Sequence, residues 1–453
     1  MRVLHLIAGA GGMYCGSCIS GNALVRALRE AGIETFLLPL YSPLRTDEPN
    51  QSEPQVALGG VNLYLALRFP RLRLPRFVRR WLDHPAVLSW AGRRGETTNP
   101  ESLGPMCEAM LEGRFASDHR LFDEAIDWIR SEARPDVIHL NNALLLGLAP
   151  CLKARLGVPV VASLSGEDVF WRRLPEPYQR RTKDLLRLRC GECDGLAAMN
   201  GFYAGFFARE IGIELEGIEV IPPGISVELF APSAMASSGG GPCRPAPRQR
   251  VIIGFLSRIC REKGLHTLIE AAGKILARTS RTNDSADWRI ECAGYLSRSE
   301  RAYWEQCLRQ VAELGLADRF VHRGELDLSG KAAFLQNLDI FCLPSVIPES
   351  KGLPVFEAWA AGVPAVLPAH GAFVEMVEAS GGGLLFHPND ADALADCLAR
   401  LISDAGLRQH HGRNAREWVR RNHTLSAWAG RTIAWYHRVL SRYHAGRSSS
   451  TTG

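Results

Sequence analysis

Residues 338–368 of this 453-residue chain, LDIFCLPSVIPESKGLPVFEAWAAGVPAVLP, constrain the fold more than any other stretch. Ile340 to Leu343 is a short apolar run without polar alternation, the pattern of a strand covered on both faces. Pro344 and Pro348 break regular structure behind it. Pro354 suits the first turn of a helix, where its missing N–H is not needed. Gly362 and Pro364 then close that helix before another apolar strand. Strand, loop, helix, strand is the repeating unit of a parallel α/β sheet.

The polar residues of this stretch gather where the strand passes into the helix. The N–H groups after Gly352 and Leu353, backed by the positive end of the helix dipole, favour an anion, most naturally a phosphate. Glu349 lies in the loop, and Glu357, eight positions on, is expected in the first helical turn. Carboxylates do not bind phosphate, but they accept paired hydrogen bonds from a diol. Either glutamate alone has an ordinary explanation, Glu357 as a complement to the helix dipole and Glu349 as a solvated loop charge. The pair, with Gly352, Leu353 and Pro354 between them, favours a ligand with phosphate in the middle and a polyol at each end. A nucleotide sugar fits that description.

A chain of 453 residues exceeds what one hydrophobic core usually supports, so two domains are expected. With 46% apolar and 22% charged residues it belongs with ordinary globular proteins. Its net charge of +5 suits anionic substrates or a loose membrane contact and gives no argument for nucleic acid. The opening MRVLHLIAGAGG reads as a first strand and Gly-rich turn, not an export signal, because its apolar run is short and carries His5. Nothing approaches the run of about 18 apolar residues needed for a membrane span. The twelve cysteines are expected to be reduced cytosolic thiols. Cys15/Cys18 and Cys190/Cys193 have C-x-x-C spacing but no zinc-ribbon framework, so no metal site is expected.

In chain order, residues 3–8 read as a strand leading through GAGGMYCGSC into a helix. The G-x-G-x-x-G pattern from Gly9 ends on Tyr14, which disfavours a nicotinamide dinucleotide. Residues 68–82 interleave six arginines with apolar residues. A helix packed on its domain is the favoured reading, and a face for an anionic membrane or acceptor the other. Residues 135–141 form a buried strand, and PVVASLSGEDVF forms another that ends in Ser165, Gly166, Glu167 and Asp168, a polar loop of the kind that builds sites. Residues 231–250 are rich in Pro, Gly and Ser and read as a linker. Beyond them VIIGFLSR is a strand. Arg258 at its end and Lys263 at the start of the next helix are separated by four residues, and two cations there would neutralise a diphosphate. Helical patterns fall near 390–403, 407–420 and 425–443, and 446–453 reads as a disordered tail.

Through Glu349-x7-Glu357, Arg258-x4-Lys263-Gly264 and the Gly11-Gly12 turn, the chain resembles the retaining GT-B glycosyltransferases of family 4. The resemblance runs from the first strand to about residue 440 and is strongest at 251–270 and 338–368. It implies an α/β fold of two Rossmann-like parallel-sheet domains facing a cleft. These are an acceptor-side domain over 1–230 and a nucleotide-sugar domain over 251–424, with a helix in 425–445 crossing back to the first domain. It implies hexosyl transfer from a UDP- or GDP-sugar to a hydroxyl of a glycan, lipid or small molecule, with retention and with no metal or cofactor. Arg258, Lys263 and the main chain of 352–354 would stabilise the departing diphosphate, Glu349 would hold the sugar and Glu357 the ribose. Gly324 and Glu325 would surround the base, and Gly11 and Gly12 would face the donor phosphates across the cleft.

Ser165 stands where many members carry a histidine directed at the donor sugar, so Ser165, Glu167 and Asp168 are the expected sugar-proximal or acceptor-side residues. No residue is an obvious general base, which agrees with a same-face mechanism in which the leaving phosphate takes the acceptor's proton. Two other classes remain. A catalytically degenerate nucleotide-sugar-binding partner is favoured by Ser165 and opposed by the intact donor motif. A nicotinamide-dependent oxidoreductase is opposed by Tyr14 and the glutamate pair. The expected location is cytoplasmic, with 68–82 as the segment for any contact with the inner membrane face.

Overall fold

Two six-stranded parallel sheets organise the chain. In the computed structural model, residues 1–9, 16–59, 100–114, 119–231, 250–282 and 287–450 are described, with isolated positions between 62 and 87. The first sheet has the order β2-β1-β3-β4-β5-β6. Its strands are β1 (Arg2–Ile7), β2 (Glu34–Pro39), β3 (Val137–Asn141), β4 (Val160–Leu164), β5 (Gly195–Ala198) and β6 (Ile218–Val220). The second has the order β12-β11-β10-β7-β8-β9. It consists of β7 (Arg250–Leu256), β8 (Asp287–Ala293), β9 (Phe320–His322), β10 (Ile340–Cys342), β11 (Ala365–Pro368) and β12 (Gly383–Phe386).

Strand alternation explains the layering. In the first sheet Val3, Val137 and Val161 point to one face, where they meet Ala27, Leu28, Trp428, Trp435 and Tyr436. Their neighbours Leu4, Ile138 and Ala162 point to the other, against Phe122, Tyr203 and Phe207. Each face is covered, so the strands carry apolar residues on both sides. The second sheet follows the same rule, and β10 and β11 are buried along their whole length.

The chain divides into two compact units, Met1–Gly224 with Leu425–Gly453, and Ile225–Thr424. The second begins before the Pro/Gly/Ser-rich stretch at 231–250. Ile225 N donates to His423 O at 2.8 Å, and the short helix Val227–Phe230 buries Val227 and Phe230. The Gln336 amide holds the carbonyls of Phe230 and Ala231 at 3.3 and 2.9 Å. Residues 232–249, the Gly11-Gly12 turn and nearly all of 68–82 lie outside the described residues. The last helix, Leu425–Ser450, packs on the first sheet and continues through residues 446–450, where a disordered tail is expected from the sequence. Gly446 alone costs a helix only about 1 kcal/mol and no proline follows it, so nothing stops the helix there. No helix among the described residues is long and apolar enough to cross a membrane.

In the second sheet β7 lies between β10 and β8, so the strand order runs outward in opposite directions from it. Loops leaving β7 and β10 therefore diverge, and the crevice at such a switch point is where open parallel sheets take ligands.

Candidate active site

The loops after β7 and β10 are tied to each other and to their neighbours. Ser257 N donates to Ala293 O at 3.2 Å, Ile259 N to Tyr295 O at 2.9 Å and Val346 N to Glu262 O at 2.8 Å. A single helical turn, Arg261–Lys263, then brings Lys263 to the start of the helix Leu265–Thr282. There its ammonium forms an ion pair with the Glu349 carboxylate, the two side chains being 17% and 15% exposed. Arg258 is exposed beside them and makes no hydrogen bond or ion pair among the described residues. Burial pushes the Glu349 carboxyl up, but Lys263, Lys351 and Arg258 outweigh it and hold the group below the usual carboxylate range. Glu349 is thus a carboxylate within a cluster of cations.

Its main chain is equally fixed. Ala372 N, at the start of the helix Ala372–Ser380, donates to Glu349 O at 2.8 Å. Gly371 has φ 64°, and a Cβ there would lie 2.5 Å from Glu349 N, so only glycine lets the two segments meet.

Gly352 begins the helix Leu353–Ala360 in the left-handed conformation, φ 68°, and a Cβ on it would lie 2.9 Å from Met376 Sδ. The N–H groups of Gly352 and Leu353 make no hydrogen bond among the described residues. Pro354 has no N–H, so the main chain of 352–354 provides two anion donors rather than three. Because the helix starts at Leu353, Glu357 falls in its second turn and not, as expected, in its first. The helix dipole is a weaker partner there. A side chain supplies the partner instead: Lys331 Nζ lies 2.7 Å from Glu357 Oε1. Lys331 sits on the helix Leu328–Gln336, with its ammonium 5.5 Å from the centroid of the Phe230 ring. Gly324 and Glu325 follow β9 at the same end of the sheet. Gly324 O accepts from Gly294 N at 2.9 Å, and Glu325 is exposed.

In the first unit the polar loop after β4 is turned inward. Glu167 is 2% exposed. Its Oε1 accepts from Ser165 N at 2.9 Å and Ala143 N at 3.1 Å, and its Oε2 from Ser165 N at 2.8 Å and the Tyr203 hydroxyl at 2.9 Å. These three donors, with the Ser165 N–H shared between both oxygens, turn the buried Glu167 carboxylate to the inside of the loop. Burial pushes its carboxyl up, against the pull of these donors. Asp168 is half-buried, 3.1 Å from the same hydroxyl, and burial raises it also. Ser165 is buried, with its hydroxyl 3.0 Å from that of Ser17. Of the three residues expected near sugar or acceptor, Glu167 is therefore a brace for the loop that carries the other two. Among the described residues no group of three or more His, Cys, Asp and Glu could hold a metal ion. Cys190 and Cys193 are free thiols, with Cys193 Sγ 3.2 Å from the Cys190 carbonyl.

Both halves match models of known families: residues 244–418 that of "Glycosyl transferases group 1", and residues 92–229 that of "Glycosyltransferase Family 4". The chain is a glycosyltransferase of family 4. Among its relatives is the D-inositol 3-phosphate glycosyltransferase of Paenarthrobacter aurescens (strain TC1), 26% identical over 410 residues covering 90% of this chain and 88% of that one. Another is the 2-deoxystreptamine glucosyltransferase of Streptomyces kanamyceticus, 28% identical over 67% of this chain and 77% of that one. The fold matches the sucrose-phosphate synthase of Thermosynechococcus elongatus with a TM-score of 0.69 at 19% identity, covering 98% of this chain and all of that one. It also matches Anabaena HepE in complex with UDP, TM-score 0.65 at 17% identity over 97% of this chain. The two parallel sheets are those of a GT-B glycosyltransferase.

Several residues that shape this glycosyltransferase's site have no signal in the sequence. Lys331 lies 26 positions before Glu357 with no spacing rule to link them. Gly371 and Ala372 support Glu349 from beyond the next strand, and Tyr203 reaches Glu167 from 36 positions away.

Proposed function

We propose that this glycosyltransferase moves a sugar from a UDP- or GDP-sugar to a hydroxyl acceptor with retention of anomeric configuration. The Lys263–Glu349 pair at the switch-point crevice carries the reading, because it sets a cation for phosphate directly beside a carboxylate for sugar hydroxyls. That a fold neighbour was solved with UDP supports a nucleotide donor. Arg258, Lys263 and the N–H groups of Gly352 and Leu353 bind the diphosphate and stabilise the charge that grows on it as the bond to the sugar breaks. Glu349, kept ionised by its cations, orients the sugar and offsets the positive charge developing at the reacting carbon. Glu357 holds the ribose, and Gly324 and Glu325 lie beside the base. The acceptor oxygen bonds to the anomeric carbon on the face the phosphate leaves, and the acceptor's proton passes to the departing phosphate oxygen. No metal takes part.

Incubation with UDP- and GDP-sugars, with and without EDTA, followed by NMR of the product's anomeric coupling, tests this. An α-configured donor should give an α-configured product at an undiminished rate in EDTA. A β-linked product, or activity lost to EDTA and restored by manganese, would contradict it. The second reading, a non-catalytic nucleotide-sugar-binding partner, has Ser165 in its favour and predicts nucleotide binding without turnover of any donor.

A further inference from the structure

Lys331 belongs to none of the motifs discussed above, yet it touches the carboxylate assigned to the ribose. Its side chain is 14% exposed and that of Glu357 12%, and their ion pair at 2.7 Å is mostly out of water. A lysine side chain is ordinarily mobile. Here it is held from two directions, by Glu357 Oε1 and by the face of Phe230, 5.5 Å away. Phe230 is in turn fixed by the helix that carries Lys331, because the Gln336 amide on that helix binds the carbonyls of Phe230 and Ala231. One helix thus sets both the lysine and the ring it lies against.

We propose that Lys331 is a positioning residue for nucleotide recognition, acting through Glu357 on the ribose hydroxyls; the inference rests on Glu357 being the ribose ligand. A mostly buried lysine–glutamate pair adds little net stability, since desolvation offsets the Coulombic gain. Its stronger consequences concern the carboxylate. The ammonium sets a positive charge directly against the Glu357 carboxylate, in a side chain only 12% exposed, so that the group meets a diol in one orientation. By fixing Oε1 it also fixes the plane of the group. It further cancels a negative charge that would repel a diphosphate bound at the start of the same helix, where Gly352 and Leu353 present their N–H groups.

The test compares UDP and GDP with their 2′,3′-dideoxy counterparts by calorimetry on the intact protein, Lys331→Met, Lys331→Arg and Glu357→Gln, alongside donor kinetics. Hydrogen bonds to a charged group predict that the intact protein prefers the ribonucleotide by about 10- to 100-fold. Lys331→Met should bring that ratio towards one and raise the donor KM about tenfold with kcat nearly unchanged, and Lys331→Arg should restore both. A purely structural role would weaken both nucleotides equally and keep the ratio. Should Lys331→Met not fold, Lys331→Gln reports the same ratio. A ratio kept in the Lys331 variants but lost in Glu357→Gln overturns this proposal and leaves the ribose assignment standing. A ratio unchanged by Glu357→Gln, or failure of the intact protein to bind either ribonucleotide, overturns both.

Discussion

Glu167 and Glu349 occupy comparable places, each a few residues beyond a strand of a six-stranded parallel sheet. Their surroundings are opposite. Glu167 is enclosed by main-chain N–H groups and a tyrosine hydroxyl, with no cation paired to it among the described residues, and burial raises its carboxyl. Glu349 faces three cations, and they lower it. The same architecture therefore yields a buried internal brace in one unit and a cation-paired, partly accessible group in the other. Hydrogen bonds from neutral donors consume a carboxylate's acceptors, whereas a flexible ammonium group can turn from the carboxylate to a ligand's phosphate. The chemistry follows from the partners and not from the sheet.

Replacing partners in each unit should give unlike failures. The largest effect is expected from Lys263→Met, which removes a cation from the diphosphate. Transfer should fall about 10²- to 10³-fold in kcat with the fold retained, as read by steady-state kinetics and circular dichroism. Tyr203→Phe should do the reverse. Loss of the hydroxyl that donates to Glu167 should cost about 1–3 kcal/mol in stability, measured by urea titration, with kcat per folded molecule unchanged. If Tyr203→Phe lowered kcat as far as Lys263→Met, the contrast between the units would be lost.

A smaller effect concerns pH. His139 is enclosed between the Ser163 and Tyr436 hydroxyls at 2.7 and 2.6 Å, and Tyr436 also meets His5 at 3.2 Å. Burial pushes His139 down to about 3 and lowers His5 as well, with a further push from His139 and Arg29. Both rings are neutral in the folded unit but protonate near 6.5 when it unfolds, so the unfolded chain binds more protons. Stability should be full above about pH 6.5 and decline as pH falls towards 3, by about 1.4 kcal/mol per pH unit for each histidine. Hydrogen exchange of the helix Leu425–Ser450 from pH 7 to 5 should show this slope, and His139→Gln should remove one proton's share of it. An unchanged slope in that variant would mean the network does not govern how the last helix docks.

Much of the second unit was legible in the sequence because its information is local. The apolar run at 340–343, Pro354 after Gly352, and Gly362 before Pro364 mark strand, helix start and helix stop within a few residues of where they occur. The Glu357 turn was misplaced because Gly352 serves as the helix cap in a left-handed conformation, so the helix begins one residue before Pro354 and Glu357 sits deeper than expected. The inward turn of Glu167 was hidden because its donors come from Ala143 and Tyr203, on separate elements. Lys331 was hidden for the same reason. Where a side chain's partner lies on a distant element, spacing carries no trace of it.

The most direct test of the account is to change each glutamate of the second unit to glutamine and measure nucleotide affinity and turnover separately. The change keeps size and removes a charged acceptor worth about 1.5–3 kcal/mol per hydrogen bond. Glu357→Gln should weaken free UDP or GDP and raise the donor KM, because the ribose is held alike in ground and transition states. Glu349→Gln should lower kcat while leaving nucleotide affinity nearly intact, because the sugar's charge develops only in the transition state. Loss of nucleotide binding in Glu349→Gln with Glu357→Gln unaffected would reverse the roles assigned here, and no effect of either on binding or turnover would contradict the account outright.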